Sequence, residues 1–537
     1  MSKRRQRFTA AWYRRCVQVG FLVLFLATLV AARPAAGRGG GSWRTLFFDL
    51  DPLILVTTFL AAHTVPAVLL LALVTIVITA LFGRLFCGWF CPLGTVHAAC
   101  SHVIHHRRRQ PVEVWSRWQL SKYFVLAGVL VMAACGVQWL ALLDPIALLY
   151  RSCATALLPA TQAAVEDVST GIYQSDPHVG TWRLTQVTEP AYQFLRETVF
   201  VTPQQTYLGS GLILAFLLLT VGLNFVRRRF WCRYLCPLGG LLGLIAWRPW
   251  VQRRTNAERC NACGVCGMHC HGAAGSSPGA GWKPQECLGC MNCNESCPKE
   301  GLRFSFVAPW QQRGVDETID LSRRGLLGSA VAGLAGVAVL RVTPQARGST
   351  FNPDLIRPPG ARPEAEFLSR CIACGACMNV CPTGSLQPTL LEAGLAGIWT
   401  PRVVPRLGYC DYSCTRCGEV CPTQAIVPLA LADKQQTRLG LATIDTARCI
   451  PYAFGRECIV CEEHCPIPEK AIYFEEVDVV TRAGERQTVK RPRVDPRRCI
   501  GCGICEHACP YKDRAAIRVT STNETRHPAN QSILAGE

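Results

Sequence analysis

Cysteines grouped in fours constrain this chain more than any other feature. Of its 32 cysteines, 24 fall into six quartets. Three thiolates in a tight loop can bind three irons of one [4Fe–4S] cubane, and a fourth cysteine before proline ligates the partner cluster in two-cluster ferredoxins. Three quartets have this spacing, Cys-x2-Cys-x2-Cys-x3-Cys-Pro: Cys287, Cys290, Cys293, Cys297; Cys371, Cys374, Cys377, Cys381; and Cys499, Cys502, Cys505, Cys509.

The other three quartets vary the pattern. One has His271 in place of the proline, one opens with a three-residue gap and one with an eight-residue gap, which requires only that the loop bulge before its first ligand. Zinc competes with iron as the bound metal, mainly at the quartet that begins at Cys449. Structural zinc sites, however, usually join two separated ligand pairs. We therefore expect six [4Fe–4S] clusters. These quartets are Cys260, Cys263, Cys266, Cys270; Cys410, Cys414, Cys417, Cys421; and Cys449, Cys458, Cys461, Cys465.

The quartets define two iron–sulfur regions. Residues 251–310 hold two and predict a cytoplasmic two-cluster module, and residues 344–537 hold four. Within the four, sequential pairing (371 with 410, 449 with 499) and nested pairing (371 with 499, 410 with 449) both remain open. The four-quartet region has few residues per cluster and therefore little apolar core. We expect metal ligation to supply much of its folding free energy.

Apolar runs at 16–32, 66–86, 123–143 and 207–226 predict four membrane spans, since a span needs about 17–25 helical residues. Basic clusters at 3–7, 105–109 and 227–229 place the N-terminus and these loops in the cytoplasm. We therefore attribute much of the formal charge of +19 to membrane anchoring rather than to nucleic-acid binding.

A shorter apolar run at 325–341 follows Arg323 and Arg324. Twin arginines before a Gly/Ala-rich stretch resemble a twin-arginine export signal, although a basic anchor before an ordinary helix also fits. We interpret residues 318–343 as a retained fifth span, with cleavage as the alternative. Both interpretations place the four-cluster domain in the periplasm.

The region 1–250 contains an internal repeat. Residues 86–94 read FCGWFCPLG and residues 231–239 read WCRYLCPLG, and each follows an Asp-Pro pair and a span, with an insertion at 144–206 in the second copy. The predicted fold class is therefore membrane α-helical, with four spans as two tandem repeats and a fifth twin-arginine-led span, plus ferredoxin-like α+β iron–sulfur domains.

The repeated Cys-x-x-x-Cys-Pro motifs place two thiols on one face of a helix near its end. Convergence of the two pairs would create a four-thiolate site for a further iron–sulfur or other metal centre; a redox-active or structural dithiol is the alternative. The residues are Cys87, Cys91, Cys232 and Cys236.

A quinone site is harder to locate. His63, Asp51 and Asp144 are candidates because ionisable groups near spans are a functional hypothesis by default. Asp-Pro is also a common helix start, and His63 also fits an ordinary interface position. Four lone cysteines, Cys16, Cys100, Cys135 and Cys153, are expected to be mainly structural.

The motifs together resemble two accessory proteins of periplasmic nitrate reductase. Residues 1–310 resemble the NapH-type membrane subunit, and residues 320–537 resemble the NapG-type four-cluster subunit. NosR-type and CcoG-type proteins share the Cys-Pro motifs, but the first has a flavin domain not found here and the second lacks the four-cluster half. The single chain and the insertion depart from the usual two-protein arrangement.

The resemblance implies a quinol dehydrogenase component that passes electrons to a periplasmic reductase or cytochrome. The sequence has no haem, Walker A or dinucleotide motif, which favours electron transfer over substrate chemistry. Two alternatives remain open. One is a redox assembly or maintenance factor for a periplasmic metalloenzyme, and the other is a quinone-independent transmembrane electron conduit.

Overall fold

The structure is a computed structural model. It describes residues 10–33, 42–105, 114–140, 142–179, 182–201, 204–275, 281–308, 321–341, 352–480, 486–527 and 530. The basic residues at 3–7 and 106–109, which oriented the predicted spans, lie outside this part of the chain.

Most regular structure is helical, and the longest helices lie in the first 340 residues. The α-helices are α1 Ala10–Ala31, α2 Leu46–Asp49, α3 Pro52–Ala62, α4 Ala72–Phe82, α5 Pro92–His105, α6 Ser121–Ala134, α7 Pro145–Ser152, α8 Leu158–Ser175, α9 Thr185–Thr198, α10 Ser210–Gly222, α11 Pro237–Ile245, α12 Val265–Met268, α13 Asn292–Glu295, α14 Arg323–Leu340, α15 Glu364–Arg370, α16 Ala376–Val380, α17 Arg416–Glu419, α18 Leu431–Gln436, α19 Ile450–Ala453, α20 Val460–Glu463 and α21 Ile504–Ala508.

The described strands form five two-stranded antiparallel sheets: β1 His178–Val179 with β2 Trp182–Arg183, β3 Val251–Thr255 with β4 Leu302–Phe306, β5 Leu386–Pro388 with β6 Pro401–Val403, β7 Leu441–Ile444 with β10 Ile517–Thr520, and β8 Ile472–Val480 with β9 Arg486–Val494. Two of these ladders enclose cysteine loops. Val251 pairs with Phe306 across the two-cluster module, and Leu441 pairs with Thr520 around the last two quartets.

The chain forms two compact units. Unit 1 comprises Met1–Leu29, Trp43–Ser152 and Gly211–Val339, and unit 2 comprises Val30–Ser42, Cys153–Ser210 and Leu340–Glu537. Most of the insertion therefore belongs to the same unit as the last four quartets. The domain boundaries predicted from the sequence are 1–250, 251–310, 318–343 and 344–537, and they stay a prediction.

The insertion packs on a cysteine loop within unit 2. Gln205 donates to the backbone carbonyl oxygen of Cys381 at 2.8 Å, and Gln387 accepts a hydrogen bond from the backbone N–H of Leu208. Tyr207 is buried and donates from its hydroxyl to Gln205. The insertion therefore contributes to the core around the first two quartets of unit 2.

Two described helices, α1 and α14, are long and apolar enough to cross a membrane. The number rises to three if the bent pair Trp43–Asp49 and Pro52–Ala62 is counted as a single span. Apolar helices cover Ala67–Phe82 and Ser210–Phe225, but both are shorter than 18 residues. The third predicted span ends early at α6, where Gly136 adopts φ +76° after the last turn. The prediction of four full-length spans is therefore not confirmed.

Helix α14 packs closely on α6 through small residues within unit 1. A Cβ added to Gly333 would lie 2.8 Å from the carbonyl oxygen of Gly128, and one added to Gly325 would lie 2.7 Å from the Phe124 ring. Small residues at such crossings let helices approach closely. Ser322 caps α14, so Arg323 and Arg324 form its first turn.

Candidate iron–sulfur centres and a four-thiol site

The first two quartets of unit 2 exchange their fourth cysteines. Cys377 interacts electrostatically with Cys374 and Cys371 of its own loop and with Cys421 of the next quartet. In return, Cys381 lies close to the other loop, in a cavity lined by four cysteines, Cys381, Cys410, Cys414 and Cys417. Each site therefore takes three thiols from one loop and one from its partner.

The last two quartets show the same exchange. A second cavity is lined by Cys449, Cys458, Cys461 and Cys509 together with apolar residues such as Ile444 and Ile517. Cys465 in turn interacts electrostatically with Cys499, Cys502 and Cys505. The structure therefore arranges these quartets in sequential rather than nested pairs.

Local conformation explains how three thiols converge from one short loop. In the quartet at 499, Gly503 adopts φ +86° and begins the short helix α21, which carries the third cysteine. The last cysteine leaves the helix in an extended conformation before Pro510, which has no N–H and cannot continue the helix. The fourth side chain is thereby directed away from its own loop.

Several cysteines of unit 2 lie in surroundings that disfavour the thiolate when no metal is bound. Burial, and then neighbouring thiols among other groups, raise the pKa of Cys371, Cys410 and Cys461 to about 12. Iron ligation requires the thiolate, so assembly must release these protons. Four sulfurs in an apolar cavity are a donor set that fits a [4Fe–4S] cluster, which supplies a one-electron carrier when bound.

The arrangement differs from that of a single-ion site. Within the described ranges, no group of three or more His, Cys, Asp or Glu side chains is placed to hold one metal ion. A tetrahedral zinc ion draws its sulfurs to about 2.3 Å from the metal, whereas a cubane takes each cysteine at a different iron.

The two quartets of unit 1 form a similar but more exposed module. Cys287, Cys290 and Cys293 interact electrostatically with Cys270 of the preceding quartet. Gly301, which donates its backbone N–H to Cys297, packs against the start of the preceding quartet. The remaining cysteines of that quartet are Cys260 and Cys263, which are exposed, and Cys266, which is partly exposed.

The two Cys-Pro motifs fold into matching turns. Phe86–Phe90 and Trp231–Leu235 are π-helical, and the backbone N–H of Cys91 donates to Phe86 at 2.9 Å, five residues back. The expectation of a regular helix with thiols at i and i+4 is therefore wrong here. The second cysteine of each motif instead begins the next helix, and its sulfur accepts a backbone N–H three residues later.

The four thiols of these turns converge. Cys236 interacts electrostatically with Cys232, Cys87 and Cys91, and Cys91 interacts with Cys87 and Cys232. Cys87, Cys91 and Cys236 are buried, and Cys232 is partly exposed. We call these four residues the four-thiol site.

Two buried arginines flank the four-thiol site. Arg84 and Arg229 are each 1% exposed. Arg84 interacts electrostatically with Cys87 and Cys236, and Arg229 donates to the carbonyl oxygen of Cys87 at 3.2 Å. A signal for them was present, because an arginine stands three residues before the first cysteine in both motifs. Buried cations of this kind favour thiolates.

The first Cys-Pro turn contacts the two-cluster module. Trp89 donates from its indole N–H to the carbonyl oxygen of Gly289 at 3.0 Å, and Arg84 donates to that of Gln285. A Cβ added to Gly88 would lie only 2.1 Å from the carbonyl oxygen of Leu288. Only glycine permits this approach, and Leu288 and Gly289 lie between Cys287 and Cys290, two of the predicted ligands.

The three candidate quinone residues do not form one group. Asp51 and Asp144 are buried and lie side by side, each as the N-cap of a helix. His63 is exposed at the opposite end of α3, with φ 53°. The structure therefore separates His63 from the aspartates. Their assignment to a quinone site stays a prediction.

Comparison with known families agrees with the cysteine pattern. A 4Fe-4S binding domain model matches residues 64–111 and again 210–257, around the two Cys-Pro motifs. A second 4Fe-4S binding domain matches residues 367–387, and a 4Fe-4S dicluster domain matches residues 456–512. No solved structure matches the chain.

Curated relatives are ferredoxin-type proteins. The methylamine utilization protein MauM of Methylorubrum extorquens is 34% identical over 223 residues, which are 40% of this chain and 96% of MauM. NapG of Escherichia coli is 34% identical over 170 residues, 30% of this chain and 69% of NapG. The chain belongs to the family of ferredoxin-type iron–sulfur electron-transfer proteins that includes MauM and NapG.

Proposed function

We propose that this protein is an electron carrier of the bacterial inner membrane that oxidises quinol and delivers electrons to a periplasmic reductase. The observation that carries the proposal is the exchange of fourth cysteines, which couples the sites of unit 2 in pairs. Because each site takes a cysteine from its partner's loop, the two sites of a pair are neighbours, and neighbouring sites suit stepwise electron transfer. The carriers are six [4Fe–4S] clusters, held by the 24 cysteines of the quartets.

Contacts in unit 1 support a path between the membrane part and its module. The residues between Cys87 and Cys91 pack on the loop between Cys287 and Cys290. We infer that the four-thiol site holds a further iron–sulfur or other metal centre, with Arg84 and Arg229 balancing part of its negative charge. It would then be the relay closest to the two-cluster module.

The proposed topology has the N-terminus in the cytoplasm and the four-cluster domain in the periplasm. It is supported by the apolar helices α1 and α14 and by the twin arginines at the start of α14. Close packing of α14 on α6 supports retention of this helix after export. As a NapH-like and NapG-like fusion, the chain would combine two subunits of a quinol dehydrogenase.

Anaerobic reduction by quinol tests this proposal directly. The purified full chain, with its clusters intact, is mixed with excess menaquinol or ubiquinol analogue, and cluster reduction is followed by EPR. We expect reduced-cluster signals with quinol, and larger ones with dithionite, which shows that the clusters are competent. Reduction by dithionite but not by either quinol would reject quinol oxidation and leave the two alternatives, the assembly or maintenance factor and the quinone-independent conduit.

A further inference from the structure

Two buried aspartates connect the repeats of unit 1. Asp51 and Asp144 each precede a proline, and each caps the helix that follows, α3 and α7. Both side chains are 0% exposed. Each carboxyl group interacts electrostatically with the other, so equivalent positions of the two repeats meet inside the unit.

One oxygen of each carboxyl is used by its helix. Asp51 Oδ1 accepts from the backbone N–H groups of Leu53 and Ile54 at 2.7 and 3.4 Å. Asp144 Oδ2 accepts from the second and third residues of α7 at 3.1 and 3.3 Å. The other oxygens, Asp51 Oδ2 and Asp144 Oδ1, have no donor among the described groups.

These two remaining oxygens satisfy each other only if a proton lies between them. An ionised carboxylate has no hydrogen to donate, so two of them cannot form a hydrogen bond. One shared proton satisfies both oxygens and leaves the pair with a single negative charge. Two carboxylates that share one site hold a proton in this way.

The surroundings link the pair to the four-thiol site. Asp144 interacts electrostatically with Cys91, and helix α5, which begins after Cys91, packs on α7. Arg151 on α7 is the cation that interacts with Asp144. Of the other nearby charges, Asp49 accepts from Thr45 at 2.8 Å through Oδ2, and Lys122 on α6 forms an ion pair with Glu286.

We propose that Asp51 and Asp144 form one proton-binding site that is coupled to electron transfer at the four-thiol site. The inference rests on the proposed function, in which a quinol gives up two electrons and two protons. If the four-thiol site holds a redox centre, one of these protons would join the pair when an electron arrives there, and the pair would then hold two. The pair would release that proton when the electron leaves, and the second electron and proton would follow in the same way. Each step therefore adds no net charge to the buried region.

Infrared difference spectroscopy of the full chain tests the pair without quinol. The cluster-loaded protein is reduced and oxidised anaerobically at an electrode, in H2O and in D2O. We expect a protonated-carboxyl band that changes with the redox state and shifts on deuteration. D51N and D144N should each lose the band, because an Asn amide donates to the remaining carboxylate and no shared proton is needed.

Controls separate this effect from misfolding. Asn is as good an N-cap as Asp, so both variants should keep wild-type iron content and thermal stability. D49N removes a neighbouring buried carboxyl and should keep the band. Persistence of the band in D51N/D144N, or a wild-type band that does not respond to reduction, would overturn the proposal. Failure of quinol to reduce the clusters, with the redox-linked band intact, would reject quinol oxidation alone.

Discussion

The two units assemble their cysteine sites in different ways. In unit 2, each site takes three thiols from one short loop and a fourth from the neighbouring quartet. In unit 1, the four-thiol site is built from two π-helical turns 145 residues apart, each contributing two thiols. The first arrangement depends on loop conformation, and the second depends on how the repeats pack.

The cysteine sites of the two units also differ in the charged groups that lie beside them. In unit 2, Cys505 interacts with other thiols, and the buried Lys434 interacts electrostatically with Cys410. The four-thiol site has buried Arg84 and Arg229 beside it. Loops of the first kind are expected to need a cluster to fold, whereas the second site is held by helix packing whether or not it carries metal.

The largest effect should come from the exchanged cysteines. Cys421→Ser removes a ligand from the site of the 371 quartet, so its EPR difference spectrum should match that of Cys371→Ser. Cys381→Ser should likewise match Cys410→Ser. We expect each to lose one cluster and much of the stability of unit 2, whereas Cys16→Ser, at an exposed lone thiol, should lose neither.

Nested or local ligation predicts a different result. If Cys421 served its own loop, the spectrum of Cys421→Ser would match that of Cys410→Ser. That result would contradict the exchange of fourth cysteines between neighbouring quartets of unit 2.

A buried ion pair holds the segment before the first quartet of unit 2. Glu364 binds Arg357 at 2.6 Å and also binds Arg526. Burial alone would raise the pKa of Glu364, but the two arginines lower it below its usual 4.5. Its contribution is therefore complete above about pH 4.5 and is lost as the pH falls through the lower, folded-state value.

Glu364→Gln should leave the buried guanidinium group of Arg357 without its anion, whereas Arg526 keeps Glu524. We expect this to cost about 3–5 kcal/mol at neutral pH. Thermal unfolding under anaerobic conditions, from pH 7 to pH 3, measures this difference. We expect the gap between wild type and variant to narrow as the pH falls. Glu475→Gln, at an exposed ion pair, is the control and should change stability little. A gap that is constant with pH would contradict the role of the carboxylate.

The contact between the first Cys-Pro turn and the two-cluster module can be weakened with one methyl group. Gly88→Ala places a Cβ against the carbonyl oxygen of Leu288, so the turn must shift. Overpacking of this kind costs about 1–3 kcal/mol. Gly222→Ala, with no atom within 4 Å of the added Cβ, is the control.

The readout for Gly88→Ala is the thermal stability of unit 1 together with the EPR signal of the cluster at 287. We expect both to change, and the clusters of unit 2 to stay as in wild type. Equal stability of the two glycine variants would show that the turn does not rest on the cluster loop.

A smaller effect is expected where the insertion meets the first quartet of unit 2. Gln205→Ala removes the donor to the carbonyl oxygens of Cys381 and Pro382. We expect a loss of about 1 kcal/mol, the usual net value of a hydrogen bond, measured by denaturant unfolding. Gln193→Ala, whose exposed side chain bonds Glu189, is the control. No difference between the two variants would show that the insertion does not support the loop.

Cysteine spacing predicted much of unit 2, because three ligands within seven residues determine the loop that holds them. Spacing could not decide the pairing, since the fourth cysteine looks alike in both schemes, and only packing brings Cys421 to Cys371. The sequence also could not predict that residues 153–210 belong to this unit, because their position depends on tertiary hydrogen bonds such as that of Gln205.

In unit 1, hydropathy overestimated helix lengths because apolar loop residues extend the runs at 66–86 and 123–143. The repeat predicted that the two cysteine pairs converge, and Cys236 interacts with the other three thiols in the structure. The Asp-Pro positions were recognised, but their meeting required the tertiary fold.

The number of clusters can be counted from iron and acid-labile sulfide in the anaerobically purified full chain, combined with EPR of the reduced protein. Six clusters predict about 24 irons and 24 sulfides per chain, four for each cluster. If the four-thiol site carries a further centre, the iron count rises above 24, and Cys87→Ser with Cys232→Ser removes only the excess. A count near half of 24 after full reconstitution, or zinc in place of iron, would show that the six quartets do not all hold [4Fe–4S] clusters.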